Sequence, residues 1–86
     1  MNRDSRQHSV PAEVWHEPAM RDALATRDIA TVYRLLGAAG MSQRTIAALT
    51  SQSQSDIADV LGGRQVMSYD LLDRIATGLG VPRGSM

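Results

Sequence analysis

The feature that most restricts the fold of this chain is a set of small and apolar residues at fixed spacing within residues 43–62. The set comprises Ile46, Ala47, Ser51, Ile57 and Val60. Ile46, Ile57 and Val60 are apolar because two short helices that cross at a steep angle share one small core. Ala47 is small because the second helix passes close above it, and Ser51 falls where the tight turn needs a left-handed backbone. The spacing therefore predicts two helices joined by a tight turn.

The rest of the chain extends this helical pattern. No segment alternates with the period of two that a half-buried strand shows. Possible caps and glycine stops delimit the predicted helices, which are residues 18–25, about 28–38, 42–50, 53–62 and 68–79. The last helix is expected to be closed by Gly78 and Gly80. With 86 residues and an ordinary apolar content, the chain is long enough for one domain with a modest core. The predicted fold is all-α, a compact five-helix domain in which a short N-terminal helix precedes a helical bundle that contains the crossing pair.

Three segments are expected along the chain. Residues 1–17 are predicted to be an N-terminal arm that is partly irregular, with Trp15 packed on the helices. Residues 18–83 are predicted to be the helical domain, and residues 84–86 a tail. The run at 81–85 resembles a thrombin cleavage site without its leading leucine. The tail is therefore either native sequence or an addition made for expression, and a longer natural protein is one explanation of the end at 86.

Beyond the spacing, several short stretches resemble one known family in the family's order of elements. They are GMSQRTIA at 40–47, SQSDI at 53–57, GR at 63–64, LLDRIA at 71–76 and GLGV at 78–81. Together they resemble the Cro/phage-repressor (Xre-like) helix-turn-helix domain of bacterial transcriptional regulators, over about residues 28–83. The chain departs from that family in the turn, where Ser51 replaces the usual glycine and Gln52 an apolar residue. Asp56 and Asp59 also place two acids on the second helix of the pair.

The resemblance implies sequence-specific binding to double-stranded DNA and regulation of transcription. In that family the second helix, here about residues 53–61, lies in the major groove with its N-terminal side chains against base edges. The base contacts carried over by position are Gln54, Ser55 and Asp59. Gln54 could pair with adenine, and Asp59 could accept a hydrogen bond from a cytosine amino group.

The same resemblance implies phosphate contacts around the two helices. The predicted phosphate-binding residues are Gln43, Arg44, Ser53, Arg64 and Tyr69. Members of this family usually bind as two-fold dimers over half-sites about one DNA turn apart. A homodimer on DNA is therefore expected, with its contact either around Trp15 or in residues beyond Met86.

Two groups of polar residues are given structural roles instead. Ser42, Ser53 and Ser68 precede predicted helices and are expected to be N-caps. Four arginines stand near acidic residues in the sequence and are interpreted as ordinary surface charge. They are Arg21, Arg27, Arg34 and Arg74.

The charge balance leaves a second function open. Nine arginines, with no lysine, balance nine acidic residues, whereas DNA-binding domains usually carry a basic excess. The zero net charge and the acids Asp56 and Asp59 favour a helix-turn-helix module that binds protein. The small polar face at 52–55 favours DNA, because a protein-binding face usually carries aromatic or aliphatic anchors.

Other classes of function find little support in the sequence. No glycine-rich phosphate loop and no nucleophile-base arrangement is evident, so the chain is not expected to be an enzyme or to hold a cofactor. There is no cysteine, and His8 and His16 have no partner at metal-ligand spacing, so no metal site is expected. The chain has no evident signal sequence and no apolar run that could span a membrane, so a cytoplasmic protein is expected.

Overall fold

The computed structural model describes residues 10–82 and 84–86, and every regular element in this part of the chain is an α-helix. The helices are α1 (Ala12–Trp15), α2 (Pro18–Ala25), α3 (Ile29–Ala38), α4 (Gln43–Thr50), α5 (Gln54–Leu61) and α6 (Tyr69–Leu79). The prediction of an all-helical fold is confirmed, and α2 to α6 match the five predicted helices to within about a residue. Residues 1–9 of the predicted arm and Arg83 lie outside the described residues.

The number of helices differs from the prediction because α1 adds one helical turn inside the expected irregular arm. Pro11 precedes this turn with an extended backbone, and its carbonyl accepts a hydrogen bond from the Val14 N–H at 3.0 Å. The indole of Trp15 is buried and Val14 is half-buried against the same core. Tertiary packing of these two apolar residues therefore orders a segment that is too short to show helical periodicity.

The helix starts follow the predicted capping chemistry. The hydroxyl of Ser42 accepts a hydrogen bond from the Thr45 N–H at 3.1 Å, and the hydroxyl of Ser68 accepts one from the Leu71 N–H at 3.3 Å. Asp28 caps α3 in the same way, with its carboxylate 3.3 Å from the Thr31 nitrogen. Each cap satisfies a backbone donor that the first turn of a helix leaves unpaired.

One apolar cluster holds the helices together. Its buried members include Met20 and Leu24 of α2 and Val32 and Leu36 of α3. The others are Trp15, Ala23, Ile29, Tyr33, Ile46, Ala47, Ile57, Val60, Leu72, Ile75 and Leu79. Four residues that the helical spacing places inside are only half-buried at the edge of this cluster: Leu35, Leu49, Leu61 and Leu71.

Helices α4 and α6 approach each other closely at Gly78. A β-carbon at this position would collide with the carbonyl group of Leu49. The sequence predicts Gly78 as part of the stop of the last helix, and that interpretation is wrong. The helix continues to Leu79 and ends at Gly80, which adopts a left-handed backbone with φ of 77°. Gly78 is needed because the backbones of the two helices touch there.

Candidate nucleic-acid interface

The turn between α4 and α5 has the left-handed residue that the spacing predicts. Ser51 adopts φ of 57° and ψ of 40°. The N–H of Gln52 donates to the Ala47 carbonyl at 2.9 Å, so the end of α4 closes by the hydrogen bond typical of a left-handed cap. A residue with a β-carbon costs about 1 kcal/mol or more in this conformation. The turn therefore keeps the expected geometry with serine in place of glycine.

Gln52 is a hydrogen-bonding centre beneath this turn, which the sequence did not predict. Its Oε1 accepts from the hydroxyl of Tyr33 at 2.8 Å and lies 3.0 Å from the Thr50 hydroxyl oxygen. Thr50, which is fully buried, also donates to the Ile46 carbonyl at 2.7 Å. Burial raises the pKa of Tyr33 to about 12, although the neighbouring Thr50 hydroxyl acts in the opposite direction. The polar side chain fits the turn because it accepts the hydrogen bond of the buried Tyr33 hydroxyl.

The start of α5 is fixed by a reciprocal pair of hydrogen bonds. The hydroxyl of Ser53 accepts from the Asp56 N–H at 3.0 Å, and the Asp56 carboxylate accepts from the Ser53 N–H at 3.2 Å. This capping box satisfies two backbone donors, and an acid in the first turn is favourable at the positive end of the helix dipole. Asp56, one of the two acids that the sequence places on this helix, is thus the structural partner of Ser53 and is half-buried.

The predicted base-contacting residues share one exposed face of α5. Gln54, Ser55 and Asp59 are all exposed, together with Ala58, whereas Ile57 and Val60 on the opposite face are buried. Their spacing follows the helical period, so the four exposed positions form a continuous strip about two turns long. The strip carries one amide, one hydroxyl and one carboxylate, which are groups that can form hydrogen bonds with base edges.

Arg64 lies beside this strip. Its Nη1 is 3.5 Å from Oδ2 of Asp59 and 3.9 Å from Oδ1 of Asp56. The arginine side chain is 59% exposed, so these ion pairs are weak and screened by salt. The two acids of α5 therefore have a cation next to them, and the predicted phosphate ligand Arg64 is positioned against the predicted base-contacting helix.

The comparison with protein families matches residues 30–85, more than half of the chain, to the helix-turn-helix domain. The chain belongs to the helix-turn-helix domain family. The match extends from the first residues of α3 to beyond the end of α6, as the resemblance in the sequence implied, and it indicates DNA binding. No curated protein and no solved structure matches the chain.

The other predicted phosphate ligands lie at helix starts of this helix-turn-helix domain. Gln43 and Arg44 are the first two residues of α4, and both are exposed. Tyr69 is the first residue of α6 and is 77% exposed. The capping box already occupies the N–H and the hydroxyl oxygen of Ser53, so only its hydroxyl proton is available for a further acceptor. Ser53 directly precedes the exposed strip of α5, whereas Gln43 and Tyr69 begin the helices before and after it. The roles of these residues as ligands stay predictions.

Arg74 is more than surface charge in this helix-turn-helix domain. Its Nε donates a hydrogen bond at 3.2 Å to the carbonyl of Thr50, the last residue of α4. A cation at this end of a helix satisfies an unpaired carbonyl and is favoured by the helix dipole. The interpretation of Arg74 as ordinary surface charge is therefore wrong, because this side chain ties α6 to the turn.

Two further properties of the described residues limit the kinds of site. Within residues 10–82 and 84–86, no helix is long and apolar enough to span a membrane. The same residues contain no group of three or more histidine, aspartate or glutamate side chains that could hold a metal ion. His16 is exposed, and His8 lies outside the described residues.

Proposed function

We propose that this helix-turn-helix domain binds double-stranded DNA in a sequence-specific manner and regulates transcription. In this proposal α5 enters the major groove, where Gln54, Ser55 and Asp59 contact base edges. The role is binding without catalysis, and it implies a cytoplasmic location. The observation that carries the proposal is that α5 is amphipathic. One face is buried in the core, and the other is the exposed strip with the polar side chains of Gln54, Ser55 and Asp59.

The rigidity at the start of α5 supports this role for Gln54 and Ser55. Both residues lie between the two members of the capping box, Ser53 and Asp56, and directly follow the turn held by Gln52. Side chains on a fixed backbone lose less conformational freedom on binding, so they discriminate between bases more sharply. Gln54 could make paired hydrogen bonds with adenine, and Asp59 could accept from cytosine.

The phosphate contacts in the proposal are distributed around the base-contacting strip. Gln43 and Arg44 lie at the start of α4, Ser53 at the start of α5, Arg64 after α5 and Tyr69 at the start of α6. With zero net charge on the chain, the non-specific electrostatic attraction to DNA is small. Affinity then depends on local arginines and on two domains binding together.

Homodimerisation on DNA is part of the proposal. The predicted contact around Trp15 does not include the indole itself, which is 6% exposed and packed within its own chain. We expect duplexes with two half-sites about one helical turn apart to bind far more tightly than duplexes with one. Equal affinity for the two kinds of duplex would contradict a dimer.

The test of the proposed function is selection from a pool of random duplexes, followed by fluorescence anisotropy at several salt concentrations. We expect enrichment of one sequence and an affinity that falls as salt rises. Gln54→Ala should relax the preference at one base pair and cost about 1–3 kcal/mol of binding free energy. Gln65→Ala, an exposed glutamine outside α5, is the matched control and should keep the preference. Absence of binding at low salt would refute the proposal.

Binding to another protein is the second candidate, and two exposed apolar side chains favour it. Met67 is 78% exposed and Tyr69 is 77% exposed, one in the loop after α5 and one at the start of α6. Methionine and tyrosine are enriched in protein interfaces. If the random-duplex experiment shows no binding, these two residues mark the surface to examine for a protein partner.

A further inference from the structure

Arg27 and Arg34, whose charges the sequence assigns to the general surface, line one groove with Arg64 and Tyr69. The groove has a volume of about 810 Å³ and lies between the corner that joins α2 to α3 and the loop that joins α5 to α6. Arg64 and Tyr69 are two of the predicted phosphate ligands. Arg64 also contacts Asp59 on α5, so this one side chain links the groove to the predicted base-contacting strip.

The charge of the groove is positive in a chain with no net charge. Its charged lining residues are Arg27, Arg34, Arg64 and Asp28. Asp28 is engaged in capping α3, where its carboxylate accepts from the Thr31 hydroxyl at 2.7 Å and from the Thr31 N–H at 3.3 Å. Arg34 Nη2 donates to the same hydroxyl at 2.9 Å, which leaves most of its five N–H groups for an outside acceptor.

Arg27 has an unusual backbone for an arginine. It follows the end of α2 with φ of 55°, in the left-handed region where glycine is the common residue. Among the described residues, no carboxylate lies within ion-pair distance of its guanidinium. Arg34 likewise forms no ion pair within 4.0 Å in this part of the chain. The strained position therefore holds an exposed arginine in the groove without an internal carboxylate partner.

The geometry points to a DNA-phosphate contact by Arg27 and Arg34 that extends the proposed interface beyond α5. The inference rests on the proposed function, and it assigns the positive groove to the sugar-phosphate backbone that flanks the major groove. Arginine suits this role because its planar fork of donors matches phosphate oxygens. These contacts carry no base preference, so they add affinity equally for all sequences.

The experiment measures how the affinity of the whole chain for short random-sequence duplexes depends on salt. Each phosphate contact contributes about 0.9 to the slope of log K against log salt. Arg27→Gln and Arg34→Gln should each weaken binding roughly five- to tenfold at 0.1 M salt and lower that slope by about one. Arg21→Gln is the matched control, because this exposed arginine of α2 does not line the groove, and it should leave the slope unchanged.

Arg27→Gly separates binding from folding. Glycine relieves the left-handed strain, so this variant should melt at a higher temperature than the original chain while binding DNA more weakly. Unchanged slopes for Arg27→Gln and Arg34→Gln, with DNA still bound, would overturn this inference alone. If inorganic phosphate then shifted the amide signals of residues 27–34, the groove would be a small-anion site instead. No binding by the original chain would overturn the proposed function as well.

Discussion

The two ends of α5 are held in different ways. Its start follows a left-handed turn above the hydrogen bonds of Tyr33, Thr50 and Gln52, and the capping box of Ser53 closes it. Its end runs into Gly62 and Gly63, and the neighbouring side chain is Arg64, held by exposed ion pairs. The start is fixed by the part-buried hydrogen bonds of the turn and by the exposed capping box, whereas the end is followed by an arginine whose ion pairs are open to water.

The two ends of α5 are therefore expected to contribute differently to DNA binding. The hydrogen bonds of Tyr33 and Thr50 to Gln52 join neutral, part-buried groups, so salt affects them less than it affects exposed ion pairs. Ion pairs at the surface exchange partners at small cost, so Arg64 can leave Asp59 for another anion. We therefore expect sequence preference to come from the start of α5 and salt-dependent affinity from its end.

The largest expected effect on stability concerns the packing of α6 against the end of α4. Gly78→Ala should lower the free energy of unfolding by about 3 kcal/mol or more, because the new methyl group collides with the Leu49 carbonyl and separates α6 from α4. Thermal or urea unfolding measures the loss. Gly37→Ala in α3 is the control, because no atom lies within 4 Å of the added carbon, and it should stabilise by about 0.5–1 kcal/mol.

The next effect distinguishes two glutamines two residues apart. Gln52→Ala should cost about 1–3 kcal/mol of stability, because the buried Tyr33 hydroxyl loses its acceptor, whereas Thr50 keeps the Ile46 carbonyl. Gln54→Ala should leave the urea midpoint nearly unchanged while relaxing base preference, because its side chain is exposed. If both variants had equal stability, the start of α5 would not depend on buried hydrogen bonds.

Alkaline pH tests the same network without a mutation. The folded pKa of Tyr33 is about 12, above its ordinary value of 10.0. The unfolded chain therefore loses its tyrosine proton first, and the free energy of unfolding should fall as pH rises from about 10 to about 12. Tyr33→Phe should remove this part of the pH dependence. Tyr69→Phe, which changes an exposed phenol, is the control and should keep it.

A smaller effect concerns the left-handed turn. Ser51→Gly should raise the free energy of unfolding by about 1 kcal/mol, because glycine adopts φ of 57° without strain. Chemical denaturation is the measurement. Ser55→Gly places glycine inside α5 and should lower stability by roughly the same amount. A loss of stability in Ser51→Gly would mean that the serine side chain stabilises the turn in a way that its backbone does not reveal.

The smallest expected effect is at the far end of α5. Arg64→Gln should change stability by less than about 0.5 kcal/mol, because both ion pairs are exposed and salt-screened. Its effect on DNA affinity should be larger and similar for all sequences. Arg64→Gln should cost less DNA affinity when Asp59 is already replaced by Asn than in the original chain. In the original chain, loss of Arg64 leaves the Asp59 carboxylate without its cation and close to the phosphates. A stability loss comparable to that of Gln52→Ala would remove the contrast between the two ends.

Much of the fold could be predicted because helical spacing and capping are local properties. The bounds of α2 to α6, the caps at Ser42 and Ser68 and the left-handed Ser51 all follow from a few adjacent residues. Helix α1 could not be predicted in this way, since its order depends on burial of Trp15 in the shared core and not on a pattern within its four residues. The same holds for Gly78, whose role appears only when α4 and α6 are brought together.

The site was predicted less completely than the fold, for a similar reason. The position of Gln54 and Ser55 on an exposed face follows from their spacing relative to Ile57. The partners of Gln52 could not be foreseen, because Tyr33 is 19 residues away in sequence. The one signal in the sequence was the position of Tyr33 four residues after Ile29, which places the phenol on the buried face of α3. Likewise, only the folded chain brings Arg27 and Arg34 into one groove with Arg64.

The capping box has a consequence for the way such a domain can change its target. Ser53 and Asp56 stabilise the start of α5, while the exposed side chains at positions 54, 55, 58 and 59 make few contacts that stabilise the fold. Substitutions at those four positions can therefore accumulate without unfolding the chain. The small side chain of Ala58 leaves space for a larger one in the middle of the strip. Under the proposed function, natural selection or a designer could change the DNA sequence that this domain prefers while its scaffold stays the same.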